Sequence, residues 1–146
     1  MTAPGIQQDD LAGGAGMARH ERREGSRRGA LVEQIRRKPE SASTQWRSHV
    51  RWRGAFKSES RSRSFASVGS DEPATLGGSD TAANPVEQLL GALGNCLAVG
   101  YAANATAAGI RLKSLELELE GTIDLHTFLG LAEGHAGFEG ISVKVH

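Results

Sequence analysis

Asn84-Pro85-Val86-Glu87-Gln88-Leu89-Leu90-Gly91-Ala92-Leu93-Gly94-Asn95-Cys96 is the run on which the fold turns. It opens with the residues that start a helix. Asn84 can cap free backbone N–H groups, Pro85 lacks an N–H that the first helical position does not need, and Glu87 can bond back to the cap. A helix is therefore predicted from Pro85. Alanine and leucine dominate the next two dozen or so residues, and Gly109 can take the left-handed conformation that stops a helix, so the element should reach about Ala108. It is apolar on most sides. Small residues at Gly91, Asn95, Ala98, Ala102 and Ala105 recur near helical spacing and leave room for another backbone, which places this helix at the centre of a fold.

Upstream, the period of the pattern changes from that of a helix to two. Trp46, Val50 and Trp52 alternate with Arg47, His49, Arg51 and Arg53, the signature of a half-buried strand. After Gly54 the alternation resumes from Phe56 to Val68, with Lys57, Glu59, Arg61 and Arg63 on one side and serines on the other. A second strand paired as a hairpin is predicted. The stretch from Gly69 to Ala83 collects Asp71, Pro73, Gly77, Gly78 and Asp80, which form turns. Gly77-Gly78 is not a phosphate-binding loop, because it lacks a succeeding Gly-Lys-Ser/Thr. Further upstream, Leu31 and Ile35 share one face of a short helix predicted from Ala30 to Lys38, ended by Pro39, with a linker to residue 45. Residues 1–29 are rich in Gly, Ala, Arg and Asp, and are expected to form a disordered basic tail.

Downstream of Gly109, Leu115, Leu117 and Leu119 alternate with Glu116, Glu118 and Glu120, predicting a strand with one acidic face that Gly121 ends. Ile141, Val143 and Val145 mark a last strand. The chain thus reads as an α+β domain over residues 46–146. Antiparallel strands precede a long central helix that carries the cysteine, and further strands come after it.

The 146 residues carry 17 Lys/Arg and 17 Asp/Glu, but unevenly. Residues 1–63 hold 14 basic against 7 acidic side chains, and residues 64–146 hold 3 against 10, a split of +7 and −7. Such segregation is neutralised within a fold or across a dimer, and the arginines lack the interleaved aromatics of a base-stacking surface, so nucleic acid is not the expected partner. The most apolar run, Leu89 to Ala103, is shorter than the ~20 residues a membrane span requires. No signal-like segment opens the chain, and one cysteine makes no internal disulfide, so a cytoplasmic protein is expected.

Two strands, the loop from Asp71-Glu72-Pro73 through Leu76-Gly77-Gly78, Asn84-Pro85 opening the helix and a cysteine eleven residues after that proline together resemble the OsmC/Ohr family. The resemblance extends from about Trp46 to His146. It implies an α+β, OsmC-like fold that works as an intertwined homodimer, and an activity in which a thiol reduces organic hydroperoxides in oxidative stress defence. In the family a reactive cysteine attacks the peroxide, an arginine favours its thiolate, a glutamate orients the arginine and a second cysteine resolves the oxidised sulfur. Cys96 stands at the place of the reactive cysteine. Glu87 lies one residue beyond the usual glutamate position, which Val86 occupies, and Arg61 or Arg63 could supply the guanidinium. The resolving cysteine has no counterpart, so an external thiol reductant is implied, with no cofactor. The family pattern places a further helix and strands beyond His146, so the domain is expected to be incomplete.

Each of these residues has a simpler reading. Composition alone makes Cys96 a small packing residue, Glu87 a helix cap, and Arg61 and Arg63 a solvated strand face. The alternative to a peroxidase is therefore a non-catalytic OsmC-like scaffold or ligand-binding protein in which Cys96 is structural. Asp124, His126 and His135 are the closest candidates for a metal set, and their spacing fits no zinc pattern. No metal is expected.

Overall fold

The computed structural model describes residue 23 and residues 25–146. The chain is α+β, with small antiparallel sheets and one long helix. Residues 25–37 form helix α1, and a 3-10 turn over Pro39–Ala42 comes next. Strands β1 (His49–Gly54), β2 (Lys57–Arg61) and β3 (Val68–Ser70) precede helix α2 (Pro85–Ala107). Strand β4 (Leu117–Ile123), the single turn α3 (Leu125–Phe128) and strand β5 (Phe138–Val145) complete it.

Contacts divide the chain into two compact units. One joins the described residues up to Gln45 with Ala102–Arg111; the other consists of Trp46–Tyr101 and Leu112–His146. In the first, α1 begins earlier than the predicted Ala30, so the described part of the expected tail, residue 23 and residues 25–29, is helical. Arg27 and Arg28 are good helix formers and carry the element across Gly29. The remainder of the expected tail, residues 1–22 and 24, lies outside the described residues.

In the second unit β1 and β2 form the predicted hairpin, with Val50 opposite Ser60, Arg51 opposite Glu59 and Trp52 opposite Ser58. The Trp52 indole N–H donates to the Ala55 carbonyl at 2.8 Å, fastening a turn in which Ala55 takes φ 45°. The predicted second strand does not run on to Val68. It ends at Arg61, the chain turns with Arg63 at φ 54°, and Val68–Ser70 returns as a third strand against β2. The alternation of residues 56–68 concealed this break, because the turn residues continue the polar-small pattern of the strand.

The loop into α2 is organised by Asp71, which is 1% exposed. Its Oδ1 accepts from the Glu72 and Ser79 N–H groups, and its Oδ2 from the Thr81 N–H and hydroxyl. Gly78 sits so close to the Glu72 carbonyl that no side chain would fit. From α2, the Gln88 amide reaches back to the Gly69 and Ala83 carbonyls at 2.8 and 2.9 Å, tying the helix to the end of β3.

Helix α2 starts at Pro85 as predicted and stops as predicted. Gly109 at φ 70° donates to the Thr106 carbonyl and Ile110 to that of Ala105, the paired bonds of a left-handed helix stop. Strand β4 does not end at Gly121 but continues to Ile123. A Cβ on Gly121 would lie 2.5 Å from the Phe138 ring and 3.4 Å from Leu90, so the glycine marks a close approach inside the strand. The β4–β5 ladder pairs Leu117 with Val145, Leu119 with Val143 and Gly121 with Ile141, while Glu118 and Glu120 share the other face with Lys144 and Ser142.

Among the described residues no apolar side chain is buried; only Ser70 and Asp71 are. No helix of the described residues is long and apolar enough to cross a membrane.

Candidate functional site

Helix α2 has two unlike sides. Val86, Leu90, Leu93, Gly94 and Leu97 are half-buried and succeed each other at three- and four-residue spacing. Gly94 meets the β4–β5 sheet here, since a Cβ in its place would come within 2.8 Å of a Leu119 methyl. The other side displays Leu89, Ala92, Cys96 and Val99, all exposed, at spacings of three, four and three. Leu89 is 57% and Val99 69% exposed, a loss of roughly 1–2 kcal/mol each relative to burial.

Cys96 is a free thiol in this apolar stripe. Its sulfur makes no hydrogen bond with any described residue. It lies about three turns from the helix start, beyond the first turn, where the helix dipole acts on charge.

Glu87 is held elsewhere. The Asn84 N–H donates to Glu87 Oε2 at 2.9 Å while the Glu87 N–H donates to Asn84 Oδ1 at 2.8 Å, a reciprocal cap. Nine residues separate Glu87 from Cys96, about two and a half turns, so the two side chains leave opposite sides of the helix. The structure does not bring them together.

Arg61 closes β2 opposite His49, which puts it on the face that also carries Arg51 and Glu59. Val50, Trp52 and Val68 occupy the reverse face, with Ser58, Ser60 and Ser70. Trp52 is 72% exposed, and Val50 and Val68 are exposed as well, so no described residue covers these three side chains. Arg63 belongs to neither face. It sits in the turn after β2, its guanidinium 4.5 Å from the centre of the Phe65 ring.

Asp71 is the residue whose weight composition understated. Burial opposes its charge, but the Thr81 hydroxyl and the N–H groups of Thr81, Ser79 and Glu72 outweigh it and hold its carboxyl below the ordinary value. Lys57 Nζ stands 3.8 Å away. The sequence signal was an aspartate ahead of a Gly-Gly turn with a threonine ten residues on, which reads equally well as loop composition.

Of the three metal candidates, Asp124 Oδ1 and His126 Nδ1 lie 3.0 Å apart at the start of α3, while the His135 ring accepts from the Gly137 N–H. Among the described residues no three His, Cys, Asp or Glu side chains gather as a metal set.

Comparison with known proteins gives one family. Residues 77–146, from the Gly-Gly turn through α2 to the end of the chain, match the family model described as OsmC-like protein. No curated protein matches the chain.

Proposed function

From the match of residues 77–146 to the OsmC-like protein family model, we propose that the chain reduces organic hydroperoxides as a member of that family, with Cys96 as the reacting thiol. The observation that carries this reading is the position of Cys96: halfway along α2, exposed, and flanked by Leu89, Ala92 and Val99. A peroxide with an organic substituent finds there an accessible sulfur beside apolar surface.

The Cys96 thiolate attacks the terminal peroxide oxygen, the O–O bond breaks, and the alkoxide leaves with a proton as an alcohol. The sulfur becomes a sulfenic acid. Two equivalents of an external thiol then return it to the thiol, releasing a disulfide and water, since the chain has no second cysteine. This chemistry suits a reducing cytoplasm.

A free thiol near pH 7 is mostly protonated and needs a nearby cation to react fast. No described residue bonds to the Cys96 sulfur, and in our reading a second copy supplies the guanidinium in a homodimer. The apolar face of Val50, Trp52 and Val68 and the stripe of Leu89 and Val99 supply the surface for that assembly. Arg61 projects from the reverse face of its sheet, so we assign the role to Arg63, which the turn leaves free of both faces.

Steady-state consumption of cumene hydroperoxide with a dithiol reductant tests the reading. The wild-type chain turns over and Cys96→Ser does not. Equal rates for the two proteins would leave Cys96 a packing residue and the chain a scaffold.

A further inference from the structure

The segregation of charge along the sequence survives in the folded unit. On the hairpin, Arg51, Arg53, Lys57 and Arg61 share one face with His49 and Glu59. Glu59 pairs with Arg53 at 2.9 Å, and Lys57 approaches Asp71 at 3.8 Å. Arg51 and Arg61 have no ion pair with any described residue. On the other sheet the Glu116 backbone extends the ladder by bonding both ways to His146, so Glu116, Glu118 and Glu120 form a row along one strand face. Glu118 is met by Lys144 at 3.4 Å and His146 at 3.6 Å, whereas Glu116 and Glu120 have no ion pair with any described residue.

Both rows are built on strands, where alternate side chains recur about every 6.6–6.8 Å. Arg51 and Arg61 stand diagonally on neighbouring strands, and Glu116 and Glu120 lie four residues apart on one strand, so the two patches match in sign rather than in spacing. Within one chain the rows do not pair.

We propose that they pair between chains. The Arg51/Arg61 face of one copy docks on the Glu116/Glu120 face of another, a contact distinct from the apolar dimer surface and independent of the peroxidase reading. The two patches differ, so the contact is head-to-tail and extends beyond a closed pair unless its rotation closes a ring. Exposed charges set partner choice and association rate, and salt screens them.

Sedimentation of the full chain at about 0.01 M and about 1 M ionic strength, where screening lengths are about 30 and 3 Å, tests this. The mass at low salt is expected to be at least double that at high salt. Arg51→Glu/Arg61→Glu and Glu116→Arg/Glu120→Arg should each abolish the increase, with unchanged circular dichroism, and an equimolar mixture of the two variants should restore it. A mass independent of salt, an increase that persists in either variant alone, or no recovery on mixing overturns the proposal. So does loss of the large species on nuclease treatment, which would make nucleic acid the occupant of the basic face.

Discussion

Asn84 and Glu87 hold each other at the start of α2, each accepting the other's backbone N–H through its side chain. Losing the Asn84 side chain removes one of these bonds and leaves an orphan donor at the helix end. Asn84→Ala is expected to lower stability by about 1 kcal/mol, read as a shift in denaturant midpoint at constant slope. Glu87→Gln keeps an acceptor for the Asn84 N–H, and should cost less and leave hydroperoxide turnover near wild type. A large fall in turnover with stability intact would return Glu87 to the reacting machinery.

Gly121 on β4 and Gly91 on α2 make opposite forecasts. At Gly121, added carbon meets the Phe138 ring and Leu90, so Gly121→Ala is expected to destabilise by about 1–3 kcal/mol. At Gly91 nothing lies within 4 Å of an added Cβ, and alanine is the better helix former, so Gly91→Ala should stabilise by up to about 1 kcal/mol. Thermal midpoints of the two variants, compared at equal concentration, check both signs.

Asp71 links stability to pH. Its carboxyl titrates lower in the folded chain than the ordinary value of about 3.9, so the unfolded chain takes up the proton first as pH falls. Its contribution is complete above that value and is lost as pH drops through the lowered folded-state value. Asp71→Asn is expected to be less stable at pH 7 and to show a flatter loss of stability below pH of about 4 than the wild type. Parallel curves for the two proteins would show that the four bonds to Asp71 do not favour its charge.

Much of the fold was legible in the sequence, and the exceptions have physical causes. The hairpin, the start of α2 and its stop at Gly109 rest on local chemistry, namely alternation, a capping pair and a left-handed glycine, and local chemistry is what a sequence displays. Gly121 was misread as a strand end because its reason for being glycine, the Phe138 ring, lies seventeen residues away. The Asp71 knot was hidden likewise, its partners being backbone N–H groups that any residue could supply. Cys96 could be placed on its helix from spacing, but the cation we propose from another copy would leave no trace in the spacing of one chain.

The exposed apolar surfaces make the proposed homodimer testable by mass as well as by activity. Val99→Glu puts a charge in the stripe beside Cys96, and Trp52→Glu does the same on the uncovered sheet face. Each is expected to reduce the mass measured by light scattering at high salt, where charged contacts are screened, and to abolish turnover with it. A high-salt mass equal to wild type in both variants would place the dimer surface elsewhere.

The central claim concerns one sulfur atom and is tested most directly without a reductant. The reduced protein is given one equivalent of cumene hydroperoxide, the alcohol formed is measured, and the protein is trapped with a sulfenic-acid reagent and weighed intact. The account expects one alcohol per chain and one trapped adduct at Cys96, both absent in Cys96→Ser and slowed at least tenfold in Arg63→Ala. An unmodified Cys96 thiol with the hydroperoxide unspent would contradict it.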